Sequence, residues 1–232
     1  MQDDAPFTRS YAQVCGVATA LDVIGDRWSI LIVRDLLLGP LRFGDLAAGL
    51  PSIGTNTLTA RLKLLETTGV VARRAAPLPD RGTVYELTPY GRELEPIVMA
   101  LGRWGSRSMD RLPANAVWHS RWLVAAMLAF HDESHAVAKP TTWALWLSDG
   151  PFTVVAEATQ VSISAGAPAK ADAVVSARDE VLHRMLIGQL EPGAALSDGD
   201  VTSDGNPAAL VDLLALFAFP PVDSAIDTAS AP

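Results

Sequence analysis

The 232-residue chain holds a single cysteine, Cys15. One thiol excludes an internal disulfide framework and fits a reducing compartment, so a cytoplasmic location is expected. Long apolar runs are also absent. The longest, Trp122 to Phe130, is nine residues, whereas a membrane-spanning helix needs about 20. No membrane partner is expected. The N-terminus opens Met-Gln-Asp-Asp with no apolar segment behind it, so no secretory signal is expected either. The sequence lacks a glycine-rich phosphate loop, a nucleophile elbow and any clustered Cys/His set, the usual signs of nucleotide, acyl-transfer or metal chemistry. Neither enzymatic activity nor a cofactor is expected. What is present, 49% hydrophobic and 19% charged residues, is the composition of a folded chain. Its length suits one large domain or two modest ones.

The net charge of −8 argues against a nucleic-acid partner until it is divided along the chain. Residues 1–111 hold 13 Lys/Arg against 12 Asp/Glu, whereas residues 112–232 hold 5 against 14. Six basic groups, Arg42, Arg61, Lys63, Arg73, Arg74 and Arg81, fall within residues 42–81 against Asp45, Glu66 and Asp80. The acidity belongs to the second half, and the local balance decides where a polyanion is admitted.

In the first half, Val14, Val17, Ala18, Leu21 and Ile24 recur at helical spacing over residues 12–24. Asp26 precedes a second apolar helix, Trp28 to Leu38, stopped by Gly39-Pro40. A short helix is expected from Phe43 to Leu50, then a turn at Pro51-Ser52-Ile53-Gly54. Thr55 is expected to cap a helix running to about Thr68, with Gly69 in the left-handed position after it. Two β-rich runs, Val70 to Ala75 and Thr83 to Leu87, flank the turn-rich Pro77 to Gly82. Thr88 and Pro89 open one helix expected to reach about Leu112.

Beyond Pro113, a helix from Val117 to Phe130 is expected to pack Trp118, Trp122 and Leu123 inward. Alternating runs at Trp143–Leu147, Phe152–Ala158, Val161–Ala165 and Ala173–Ala177 read as strands. A helix from Arg178 to Ile187, a turn at Glu191-Pro192-Gly193, a strand near Val201 and a helix from Pro207 to Phe217 follow. The pattern predicts an α+β unit, with residues 221–232 as a flexible tail.

A short helix, a tight turn, a second helix and a hairpin is the order of a winged helix-turn-helix. On the helix from Thr55, Leu58, Leu62 and Leu65 form the buried stripe. Asn56, Ala60 and Lys63 then fall near the opposite face, with Thr57 and Thr59 on its flanks. Arg61 lies nearer the buried edge, from which its stem reaches outward to a phosphate. A plain surface helix of some other α-rich domain gives the same pattern. His131 and His135 are separated as two zinc ligands on one helix face would be. Asp132 nevertheless stands where a zincin has glutamate, and no metal is expected.

The segments "ALDVIGDRWSILIVRDLLLGPLRFGDL" behind Cys15, "TNTLTARLKLLETTGVV" and "RGTVYELTPYGREL" closely resemble the HxlR family of bacterial winged-helix regulators over about residues 10–110. The resemblance implies a homodimer, built largely from the first and last helices of the domain, on a pseudo-palindromic operator in double-stranded DNA. It implies a recognition helix from Thr55 to Lys63, a wing tip at Asp80-Arg81-Gly82 and Arg42 at the start of the supporting helix. The expected DNA-binding residues are Arg42, Thr55, Asn56, Thr57, Thr59, Ala60, Arg61, Lys63, Arg74 and Arg81. Ala60 departs from relatives with a longer polar side chain. It also implies redox or electrophile sensing at Cys15, beside the plainer reading of a half-buried small residue.

The run "KADAVVSARDEVLHRMLIGQLEPGAALSDGDVTSDGNPAALVDLLALF" resembles the sterol-carrier-protein-like domain over about residues 115–220. The resemblance implies an apolar cavity between a sheet and its helices for a small apolar effector. Candidate lining residues are Trp143, Leu145, Phe152, Val154, Met185, Leu186, Leu213 and Phe217. The expected organisation is a winged-helix domain over residues 1–112 and a sterol-carrier-like α+β domain over 113–220. The competing function is a small-molecule or lipid carrier whose winged helix serves mainly for dimerisation.

Overall fold

The computed structural model describes residues 10–76, 81–109, 116–204 and 208–220. Pro77 to Asp80 of the expected wing tip, the expected boundary at Pro113, Gly205 to Pro207 and the tail lie outside the described residues. Two compact units divide between Val98 and Met99.

The first unit starts with helices α1 (Gly16–Ile24), α2 (Ser29–Leu36), α3 (Phe43–Gly49) and α4 (Thr55–Thr67). Strands β1 (Val71–Ala75) and β2 (Thr83–Leu87) form an antiparallel hairpin in which Arg73 faces Tyr85. Leu41 adds an antiparallel bridge to Tyr85, with N–H···O distances of 3.0 and 2.8 Å. Ile32, Val33, Leu36, Leu46, Leu58, Leu62, Leu65 and Val70 make the core, each nearly inaccessible. This core fixes which faces of α3 and α4 remain for other work.

Two chain reversals here depend on backbone geometry. Gly69 has φ +76, the left-handed conformation expected after α4. Gly91 follows the Thr88-Pro89 start of α5 (Pro89–Arg92), and a Cβ there would stand 2.0 Å from the Val70 carbonyl oxygen. The Thr88 hydroxyl accepts from Gly91 N–H at 3.0 Å and donates to the Gly69 carbonyl at 2.6 Å, tying this turn to the end of α4.

Three expectations change between residues 10 and 106. Gly54, not Thr55, is the N-cap of α4, and Thr55 takes the first helical position. The helix from Thr88 is not continuous: α5 is followed by α6 (Glu95–Ser106). Pro96 explains the break, because it lacks the N–H that would bond the Arg92 carbonyl and its ring crowds that carbonyl. Glu93 and Leu94 bond instead to Tyr90 and Gly91 in tighter turns. Finally, α1 begins at Gly16, leaving Val14 ahead of it and fully exposed.

The second unit holds α7 (Ser120–Ala129), then β3 (Thr141–Leu147), β4 (Gly150–Glu157), β5 (Gln160–Ala165) and β6 (Ala173–Ala177). Helices α8 (Asp179–Leu186) and α9 (Pro192–Ser197), strand β7 (Val201–Asp204) and α10 (Ala208–Ala215) complete it. The five strands lie in the order β5-β4-β3-β6-β7. Only β3 and β6 run parallel within that order; the other neighbours are antiparallel. The alternation of the sheet turns Trp143, Leu145, Phe152, Val154 and Val175 to one face, where Leu123, Met127, Leu182, Met185, Leu210 and Leu213 of the helices are also buried. The Trp143 indole N–H donates to the Ala209 carbonyl at 2.9 Å, so α10 is pinned to the sheet without leaving a buried donor unpaired.

A polar knot, buried at Ser120 and Asp179, joins three elements of this unit. Ser120 donates its hydroxyl to Asp179 Oδ1 at 2.8 Å and accepts from Asp149 N–H at 2.9 Å. Asp149 Oδ2 in turn accepts from Ser120 N–H at 2.8 Å. The starts of α7 and α8 and the β3–β4 turn are thereby held together.

Trp118 does not pack inward. His119 is the N-cap of α7, so Trp118 precedes the helix, is 48% exposed and lies 5.0 Å from the His183 ring. Glu191-Pro192-Gly193 is the start of α9 rather than a bare turn, with Glu191 as N-cap and Pro192 in the first turn. His131 and His135 share no helix face, since α7 stops at Ala129 and His131 bridges Phe217. Asp132 accepts from Ser134 N–H and hydroxyl at 2.9 and 2.6 Å, which holds its carboxyl below the usual range. Among the described residues no group of three or more His, Cys, Asp or Glu is arranged to hold a metal ion.

Candidate nucleic-acid interface

The reversal between α3 and α4 is short. Ile53 N–H bonds the Leu50 carbonyl at 3.0 Å, Ser52 has φ +76, and Gly54 opens α4. Leu58, Leu62 and Leu65 are then buried at 0–2% exposure. With one stripe fixed inward, the helical period turns the opposite side chains outward. Thr55, Asn56, Thr59, Ala60 and Lys63 are exposed and Thr57 is half-buried. Thr59 donates its hydroxyl to the Thr55 carbonyl at 2.9 Å, which keeps that side chain close to the helix. Among the described residues, the side chains of Asn56 and Lys63 have no hydrogen bond or ion pair to the rest of the chain. A helix face of small and polar side chains with one basic group is the surface that fits a major groove.

The flanking arginines are less free than Lys63. Arg42 is the N-cap of α3, and its Nη1 donates to the Arg81 carbonyl at 2.8 Å, joining α3 to the wing. Arg74 is exposed on β1 and paired with Glu86 at 2.9 Å. Arg81 is exposed at the start of the return strand, next to Gly82 at φ +113. Arg61 stands apart from the exposed face of α4. Its Nε is buried and lies 3.3 Å from Asp26 Oδ1. Sequence spacing gave no sign of the Arg61–Asp26 or Arg42–Arg81 contacts, because their partners belong to separate elements.

Cys15 is exposed at the N-cap of α1. In the second unit, Trp143, Leu145, Phe152, Val154, Met185, Leu186, Leu213 and Phe217 are all buried, at 0–8% exposure. Two shallow clefts lie elsewhere in that unit. One, of about 430 Å³, is lined by Trp146, Ser148, Ser176, Arg178 and Asp200. The other, of about 520 Å³, is lined by His131, Glu133, Glu157 and Gln160.

The HxlR-like helix-turn-helix family matches residues 23–113, and the SCP-2 sterol transfer family matches residues 134–218. An HTH-type transcriptional regulator of Synechocystis is 40% identical over 99 residues, which span 42% of this chain and 73% of that protein. YvaP, an HTH-type transcriptional regulator of Bacillus subtilis, is 38% identical over 91 residues, 39% of this chain and 84% of that protein. The solved structure of the redox regulator HypR in its reduced form is 35% identical, covers 42% of this chain and 96% of that one, and has a TM-score of 0.39. With the winged-helix order of its first unit and the Synechocystis and Bacillus regulators as relatives, the chain belongs to the HxlR-like helix-turn-helix family of transcriptional regulators, and its residues 134–218 match the SCP-2 sterol transfer family.

Proposed function

We propose that the chain binds double-stranded DNA as a homodimer on a pseudo-palindromic operator, through residues 1–112, with residues 113–220 as its regulatory domain. The observation that carries this reading is the outward face of α4, where Asn56, Thr59, Ala60 and Lys63 are exposed above a fully buried Leu58-Leu62-Leu65 stripe. Thr55 and Asn56 meet base edges, Thr57 and Thr59 flank them, and Ala60 leaves room for a thymine methyl or a water. Lys63 neutralises a phosphate, Arg81 does so from the wing, Arg42 holds the wing to α3, and Arg74 ties the two strands of the wing through Glu86. Dimerisation is supported by apolar side chains left in water. Val17 and Leu21 on α1 are 69% and 43% exposed, and Leu101 and Trp104 on α6 are 48% and 72% exposed. Apolar groups grouped this way on a helix mark a face that a partner covers, and each of the two helices carries such a face of its own.

Two inputs are consistent with this arrangement. A small apolar effector enters between the sheet and helices of the second unit, as the match to the SCP-2 sterol transfer family suggests. Because the eight candidate side chains are packed core, that ligand opens the core as it binds. Oxidation or alkylation of Cys15, exposed beside Val14 and Val17, changes the packing of the same α1 face.

The test is a salt series of binding between the full chain and a duplex selected by it from a randomised pool. The expected log–log slope is steep, falling by about 0.9 per phosphate contact removed from B-DNA, and Asn56→Ala changes the preferred sequence more than the slope. A chain that binds apolar ligands yet selects no duplex contradicts the reading and favours a carrier.

A further inference from the structure

The contact between Arg61 and Asp26 assigns Arg61 a role different from that of its neighbours on α4. Asp26 sits in the junction between α1 and α2, directly after Gly25, the C-cap of α1. Its Oδ1 accepts from Trp28 N–H at 2.8 Å and Ser29 N–H at 3.2 Å, and its Oδ2 accepts from the Ser29 hydroxyl. Ser29 itself is completely buried. The carboxylate therefore closes the N-terminus of α2, where it satisfies donors that a helix start leaves open. Oδ1 also lies 3.3 Å from the buried Arg61 Nε, an ion pair by distance that lacks hydrogen-bond geometry.

We infer that Arg61 is a positioning residue: the Asp26–Arg61 pair locks the recognition helix to the α1–α2 junction, and Arg61 does not neutralise a phosphate. The inference rests on the reading that α4 enters the groove. One carboxylate then joins three parts of the machinery. It follows the helix whose apolar face is proposed to dimerise, it starts α2, and it holds the side of α4 beside the buried Leu58 and Leu62. A shift of α1 in the dimer reaches α4 through Asp26 without passing through the α3–α4 turn. The charge of Arg61 is offset by its partner, so Lys63 and the wing arginines supply the attraction to phosphate.

The experiment compares wild type, Lys63→Ala, Arg61→Ala, Asp26→Asn and the Asp26→Asn/Arg61→Ala double variant on the selected duplex across a salt series. Lys63→Ala lowers the slope by about 0.9 per protomer. Arg61→Ala weakens binding about tenfold, the scale of one lost contact, and leaves the slope as in wild type. Asp26→Asn also weakens binding, although it removes a negative charge, and the double variant is no weaker than the worse single one. A slope that falls in Arg61→Ala, or tighter binding by Asp26→Asn through a freed guanidinium, overturns the inference. If wild type shows a shallow slope that Lys63→Ala leaves alone, the groove reading is what fails. The pair is then read by a double-mutant cycle in urea unfolding of the full chain, where coupling supports the lock and additivity overturns it.

Discussion

Gly91 shows how closely one residue is held by its surroundings. A Cβ at this position would lie 2.0 Å from the Val70 carbonyl oxygen and 3.3 Å from Leu87 Cδ2, so Gly91→Ala forces the start of α5 away from the backbone that leads into β1. The expected cost is about 2 kcal/mol of stability, in the range of overpacking a core, measured by urea unfolding; an unchanged midpoint contradicts the contact. His183 makes a second case. Burial between Trp118 and Phe219 lowers its pKa below the ordinary 6.5. In the folded chain it takes up a proton later than in the unfolded chain as pH falls. Stability is therefore unaffected above pH 6.5, declines as pH drops below 6.5 and levels once the folded imidazole is charged. His183→Gln is expected to flatten this decline between pH 7.5 and 5.5, and a His183→Gln profile parallel to wild type contradicts it.

At the scale of elements, the recognisable parts were those whose cause lies nearby in sequence. The Leu58-Leu62-Leu65 stripe, the Gly69 stop and the Thr88-Pro89 start are each set by a few adjacent residues, and the sequence reading finds them where the structure has them. Trp118 lies outward and Arg61 has a partner that spacing does not show, because their surroundings come from distant elements, α8 in one case and the α1–α2 junction in the other. The break before α6 was legible in principle, since Pro96 alone removes the bond that would continue α5. The apolar face of Val17 and Leu21 on α1 is amphipathic in sequence but uncovered among the described residues, as a face reserved for another copy would be. Val17→Asp on α1 is expected to weaken self-association about a hundredfold, roughly 3 kcal/mol for a charge placed in an apolar contact. Sedimentation at unchanged mass would move the dimer surface off α1.

Over the whole molecule, charge and chemistry separate along the chain. The first half carries the balanced charge and the polar helix face, whereas the second carries the acidity and a sheet packed on one side by helices. On the proposed function, an effector would act on DNA affinity only by favouring one dimer geometry over another. A saturating apolar ligand is thus expected to change operator affinity and, by reciprocity, operator DNA to change ligand affinity by the same factor; isothermal titration with and without the duplex checks both. The central claim is that α4 of two protomers reads two half-sites. A hydroxyl-radical footprint of the full chain on the selected duplex tests it most directly. The account predicts two protected half-sites about one helical turn apart, or a multiple of it, both lost together in the Asn56→Ala/Lys63→Ala variant. Protection of a single continuous stretch, or a footprint untouched by those substitutions, would contradict it.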